Sequence, residues 1–137
     1  MDKVHAGGCL CGALRYEARG APLYMGLCFC ADCRKASGSG FIPFMAFAAA
    51  DLTFSAPTRT FTCVSARGSD AVRNSCSICA SLVFGGPVGE TDSHTVYAGS
   101  LDDPSAFHPT LAIFTQGRPD WAVIPPGLDV FEGAPDR

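Results

Sequence analysis

Cys9-Leu-Cys11, Cys28-Phe-Cys30-Ala-Asp-Cys33 and Cys76-Ser-Ile-Cys79 hold seven of the eight cysteines in this chain. Thiols spaced by one or two residues are metal-ligand spacing: tetrahedral zinc at about 2.3 Å per sulfur sets neighbouring sulfurs about 3.8 Å apart, a gap short knuckles readily span. The three clusters divide into one set of four and one set of three. Cys28, Cys30 and Cys33 are close enough along the chain to hold one ion by themselves. Cys9 and Cys11 need partners, and the remaining clustered pair is Cys76 and Cys79. A four-thiolate ion would staple the first part of the chain to a hairpin more than sixty residues later. Such a site contributes on the order of 10 kcal/mol to folding, enough to be the main fastener of a turn-rich chain.

The set of three has different chemistry. Four ligands close a structural zinc site, whereas three leave a position for water or substrate. Cys28, Cys30 and Cys33 are therefore the expected catalytic set, and the sequence predicts two zinc ions per chain. A thiol arriving at an open zinc loses its proton and becomes a nucleophile. The adjoining Arg34 and Lys35 either offset negative charge and bind a carboxylate, or form an ordinary solvated pair. Cys63, the eighth thiol, is either the missing fourth ligand or a free cysteine on a strand. His5, His94 and His108 are dispersed, and none has a spaced partner.

Composition narrows the class. The 137 residues, 47% of them hydrophobic and 17% charged, suit one globular domain spanning 1–137 and not a disordered tail. The net charge of −3, with Arg34-Lys35 as the longest basic run, argues against nucleic acid. No run approaches the roughly 18 apolar residues of a membrane span. Met1–Gly8 lacks the apolar region of a secretory signal, so the expected compartment is the cytoplasm. Reducing conditions there favour metal ligation over disulfides, although eight cysteines formally allow 105 pairings.

The apolar pattern is short-period. Leu14, Tyr16 and Ala18 alternate with Arg15, Glu17 and Arg19, as in a half-buried strand. Further strands are expected at Phe41–Phe47, Leu52–Phe54, Thr60–Val64, Ala71–Ser75, Leu82–Phe84, Thr95–Ala98, Leu111–Thr115 and Trp121–Ile124. Pro43 assigns its segment to an edge or an irregular strand. Helix is confined to a turn or two at Ala31–Ala36 and Asp103–Phe107, the latter capped by Asp102 or Asp103 before Pro104. Residues Gly133–Arg137 are expected to fray. The class is mainly β.

Gly8-Cys9-Leu-Cys11-Gly12-Ala-Leu-Arg-Tyr16, Cys28-Phe-Cys30-Ala-Asp-Cys33-Arg34-Lys35-Ala-Ser37-Gly38 and Cys76-Ser-Ile-Cys79 together resemble the glutathione-dependent formaldehyde-activating enzyme family. Gly99-Ser-Leu-Asp-Asp-Pro104 and Trp121 extend the likeness over nearly the whole chain. The resemblance implies a β-tent-like fold of antiparallel sheets with two zinc sites, structural at Cys9, Cys11, Cys76 and Cys79 and catalytic at Cys28, Cys30 and Cys33. It also implies that Arg34, Lys35 and Ser37 bind substrate, and that a small thiol such as glutathione is joined to formaldehyde as S-hydroxymethylglutathione. Two positions depart from the family pattern. Phe29 replaces a frequent histidine and is expected to make the pocket more apolar. Ala80 replaces a knuckle glycine and is expected to alter the turn.

Two functional classes follow. One is a zinc-dependent carbon–sulfur lyase, acting on formaldehyde and glutathione or on another small thiol or carbonyl compound, with Phe41, Phe44 and Phe47 lining its pocket or packing a core. The other is a non-catalytic zinc-stabilised protein-binding module, since the resemblance extends to centromere protein V. A third possibility is a thiol sensor, in which oxidation of the three-cysteine set ejects its metal.

Overall fold

The computed structural model describes residues 3–135. Its strands form two sheets. Three antiparallel strands, β1 (Val4–Gly8), β2 (Arg15–Arg19) and β5 (Leu52–Phe54), make the smaller sheet in the order β1-β2-β5. The larger sheet contains β3 (Tyr24–Cys28), β4 (Ile42–Ala48), β6 (Thr58–Val64), β7 (Asp70–Cys76), β8 (Leu82–Gly85), β9 (Ser93–Tyr97), β10 (Leu111–Ile113) and β11 (Asp129–Val130). Its order is β11-β10-β3-β4-β9-β8-β7-β6. All its pairings are antiparallel except β3 with β10 and β10 with β11. Among the described residues the one α-helix, α1 (Ala31–Ser37), follows β3 closely. Among the described residues, no helix is long and apolar enough to cross a membrane.

The alternation in β2 does what its period demands. Tyr16 and Ala18 are buried and face Met45 and Phe47 of β4, Phe84 of β8 and Val96 of β9, so the principal core joins the two sheets. Leu14, just before β2, is buried in the same cluster. A second, smaller core gathers Leu27, Phe29, Ala112 and Ala122, with Phe41 and Ile124 against it.

Several expectations are corrected. Trp121–Ile124 is not a strand: Ala122 N–H donates to the Pro119 carbonyl at 3.0 Å and Arg118 Nε donates to the Ala122 carbonyl at 3.1 Å, making a tight turn. Prolines at 119, 125 and 126 bracket this stretch with turns on both sides. Pro43 lies in an interior strand, flanked by β3 and β9. The β9 ladder starts at Phe44, so the missing Pro43 N–H takes nothing from that side. The strand expected through Thr115 stops at Ile113, because Phe114 turns to φ 51°. Gly133 does not fray: its carbonyl accepts from Phe114 N–H at 2.9 Å. Asp136 and Arg137 lie outside the described residues. Strands β1, β3 and β11 were not expected, because glycine and histidine in β1 and Tyr24-Met-Gly-Leu-Cys28 in β3 show no clean alternation.

Candidate functional site

Cys9 follows β1 and Cys11 lies in the β1–β2 turn, where Gly12 takes φ 84°. Cys76 ends β7, and Cys79 lies in the β7–β8 turn. Each sheet thus contributes one turn, and the two turns meet with all four sulfurs within 4.8 Å of one another. Cys9 and Cys11 sulfurs are 3.6 Å apart and Cys11 and Cys76 sulfurs 3.7 Å, close to the roughly 3.8 Å edge of a zinc–thiolate tetrahedron.

Backbone amides aim at these sulfurs. Leu14 N–H donates to Cys9 Sγ at 3.3 Å, and Ile78 and Cys79 N–H donate to Cys76 Sγ at 3.4 and 3.5 Å. Such bonds favour the thiolate and orient it. Hydrogen bonds from Ser81, side chain then backbone, hold Cys79 down to about 5. The donor set therefore fits a closed zinc site between the sheets. Ala80 closes the knuckle at φ 64° despite its Cβ, so the turn keeps the left-handed form that a glycine would adopt.

The set of three is built at the junction of β3 and α1. Cys28 ends β3, Cys30 caps the helix in an extended conformation (φ −63°, ψ 157°), and Cys33 sits in the first turn. Extended backbone at this point sends residues 28 and 30 to one side and residue 29 to the other. Phe29 accordingly enters the second core, with its ring 5.2 Å from Phe41, and does not line the cavity, contrary to the sequence expectation. Cys33 N–H donates to Cys30 Sγ at 3.2 Å, and the three sulfurs lie within 4.8 Å of one another. Bonds from Cys28 and then Cys33 hold Cys30 down to about 2, while the bond to Cys30 helps push Cys28 far up. Three thiols this close cannot all ionise unless a cation joins them, so this set also fits a metal ion.

These sulfurs open into a cavity of about 330 Å³. Its apolar wall includes Tyr24, Phe44, Tyr97, Ile113 and Phe114, and its opposite wall is the β6–β7 hairpin. Gly26 is required behind that wall, because a Cβ there would meet Leu111 and Phe44 at 2.8 Å. Of the phenylalanines singled out in the sequence, Phe44 lines the cavity, while Phe41 and Phe47 pack in cores.

Arg73, on β7, reaches the three-cysteine set from across the cavity. Its Nη2 donates to Cys33 Sγ at 3.6 Å and its Nη1 to Cys63 Sγ at 3.7 Å, and its Nε is buried without a partner. Burial works against its charge, yet the bond to Cys33 and neighbouring sulfurs raise its basicity overall. Burial likewise pushes the Tyr97 phenol up. Cys63 is not among the three clustered sulfurs.

Arg34, Lys35 and Ser37 lie on α1, and none lines this cavity. Ser37 Oγ donates to the Cys33 carbonyl at 2.7 Å, and Gly38, at φ 68°, ends the helix. The Gly99–Pro104 motif fastens the smaller sheet: Ser100 bonds Tyr16 Oη at 2.7 Å and Asp102 pairs with Arg15. Asp103 is the cap, accepting from Ser105 N–H at 3.1 Å. Sequence reasoning missed Arg73, Tyr97, Tyr24 and Phe114, which come from separate strands and loops and share no motif. A lone arginine inside the predicted strand Ala71–Ser75 was the one available sign.

A family model described as glutathione-dependent formaldehyde-activating enzyme matches residues 4–117. Among solved structures, a Rhodobacter sphaeroides protein aligns over 92% of this chain and 98% of its own, with a TM-score of 0.55 and 15% identity, a likeness of fold. Comparison with curated proteins gives no significant match.

Proposed function

The chain belongs to the glutathione-dependent formaldehyde-activating enzyme family, and from that premise we propose that it is a zinc-dependent enzyme of carbon–sulfur lyase type. In this reading residues 1–137 act as one cytoplasmic domain with two zinc ions and no nucleic-acid partner. Cys9, Cys11, Cys76 and Cys79 hold the structural ion, and Cys28, Cys30 and Cys33 the catalytic one. The observation that carries the reading is a three-thiol cluster opening into a cavity, with Cys63 outside the cluster.

Cys28, Cys30 and Cys33 would hold the zinc, which would supply Lewis acidity that lowers the pKa of an incoming thiol and leaves its sulfur nucleophilic at neutral pH. The thiol sulfur donates a pair to the formaldehyde carbon, the carbonyl π pair moves to oxygen, and the proton lost by the thiol ends there. The product is a hydroxymethyl thioether, and the reverse direction is the lyase. Arg73 places a fixed positive charge beside Cys33, where negative charge accumulates. Tyr97 presents a protonated phenol to the same cavity. The apolar wall excludes water from the reacting atoms. Arg34, Lys35 and Ser37 are the substrate-binding residues of this reading; none lines the cavity, so their part is confined to the portion of a peptide thiol extending outside it.

Zinc stoichiometry by native mass spectrometry, with and without glutathione, tests the site, and exchange NMR of formaldehyde with glutathione tests the chemistry. Expected are two zincs per chain, a thiol adduct, and exchange above the spontaneous rate that Cys30→Ser abolishes. Exchange no faster than background for several small thiols would sink the enzymatic reading. The protein-binding alternative has one observation in its favour, the exposed Phe61 and Val64 on edge strand β6. It leaves the three-thiol cavity without a use.

A further inference from the structure

We propose that Arg73 is a spacer that keeps Cys63 from becoming the fourth ligand of the three-cysteine site. The inference rests on the reading above that Cys28, Cys30 and Cys33 hold a metal ion. It explains how one site in this chain stays open although an eighth thiol is near.

The geometry is a fork. The two terminal nitrogens of one planar guanidinium address different sulfurs, Nη2 toward Cys33 at 3.6 Å and Nη1 toward Cys63 at 3.7 Å. Cys33 and Cys63 thus occupy different terminal nitrogens of one rigid cation, and Cys63 stays outside the sulfur cluster. A guanidinium has five donors, no acceptor and no accessible neutral form, so it cannot itself ligate a metal. It blocks a protein ligand while still attracting an anionic visitor to the same side of the ion.

No carboxylate accounts for its placement. Among the described residues the one ion pair is Arg15 with Asp102, and Arg73 has no carboxylate partner although Asp70 lines the same cavity. Its Nε is buried and unpaired. The half-buried cation is met by sulfurs, and not by a carboxylate, at both terminal nitrogens. Cys63, in turn, lies on β6, the edge of the larger sheet, with no strand beyond it. Its partner across the ladder is Ala71, a side chain too small to obstruct it. Arg73 and Cys76 are an odd number of positions apart on β7, so strand alternation by itself aims them at opposite faces and at different centres.

The test is cadmium NMR of the full chain loaded with cadmium, in which each site gives its own resonance and the shift reports its sulfur count. The wild type is expected to show one four-sulfur and one three-sulfur resonance, unmoved by Cys63→Ser. Arg73→Met should carry the second resonance to the four-sulfur position and weaken glutathione adduct formation at least about tenfold. The double change Arg73→Met with Cys63→Ser should return the three-sulfur resonance, a rescue that a purely structural role for Arg73 does not predict. Arg73→Lys, with a single donor centre, should show a mixture and guards against a misfolded methionine variant. A second resonance that stays at three sulfurs in both Arg73 variants overturns the spacer and leaves the metal reading intact. A wild type with only the four-sulfur resonance overturns both, and movement in Cys63→Ser alone shows that Cys63 already ligates.

Discussion

The two cysteine centres use the same ligand atom and the same tight local spacing, yet their surroundings give them opposite character. At Cys9, Cys11, Cys76 and Cys79, each pair comes from a different sheet, and backbone amides point at the sulfurs. At Cys28, Cys30 and Cys33, one segment supplies every thiol, a cavity lies in front, and the Arg73 guanidinium donates to Cys33 and to Cys63. On the proposed reading, long-range ligands fasten the fold and local ligands leave it free of the ion. A staple then differs from a reactive site in where the ligands come from, as much as in how many there are.

The sharpest way to break this comparison is to damage the staple. Cys76→Ser should cost most of the metal-linked folding energy, on the order of 10 kcal/mol, and leave the chain unfolded by circular dichroism. A folded, two-metal Cys76→Ser protein would refute the assignment. Next in size is Asn74→Ala. Asn74 is fully buried on β7 between the two centres; its amide donates to the Phe84 and Gly86 carbonyls at 3.2 and 2.8 Å, and its carbonyl accepts from Thr58. Leaving these groups unpaired should cost about 2–4 kcal/mol in urea unfolding and loosen the register that aims Arg73.

Cys30→Ser should remove the second metal and all turnover while costing less than about 2 kcal/mol, the converse of Cys76→Ser. Equal losses from the two variants would erase the distinction. Acid sharpens the contrast with a definite sign. Metal holds thiolates below their unfolded pKa, so bound metal is retained at high pH and lost as pH falls, and the site with fewer ligands should empty first. Zinc release followed with a chromophoric chelator should show two steps, with melting temperature falling mainly at the second. The smallest effect is a gain. Ala80→Gly relieves a non-glycine residue at φ 64°, and should raise stability by about 0.5–1 kcal/mol after the entropy of the added glycine.

Much of this was legible beforehand. The cysteine clusters, the Leu52–Phe54 strand, the short helix after Cys30 and the capping of Pro104 all follow from local rules: ligand spacing, alternation and helix-start chemistry. Other features were not. Phe29 sits beside two ligands and was expected in the pocket, but the strand's alternation turns it into a core. Pro43 sits in an interior strand because a neighbour's ladder happens to begin one residue later, which no local pattern records. Trp121–Ile124 has the apolar content of a strand, yet the Ala122 N–H closes a turn onto Pro119 and prolines bracket the stretch.

Spacing along the chain settled which thiols act together, because ligands one or two residues apart meet whatever the rest of the molecule does. The mainly β character was settled in the same way, through a period of two repeated over short segments. The openness of the second centre was not, since it depends on Arg73 and Cys63, which meet through the pairing of β6 with β7, and on Cys33 in a helix forty residues away. Strand register is set by core packing across whole sheets, and only the assembled sheets bring that arginine within reach of both sulfurs.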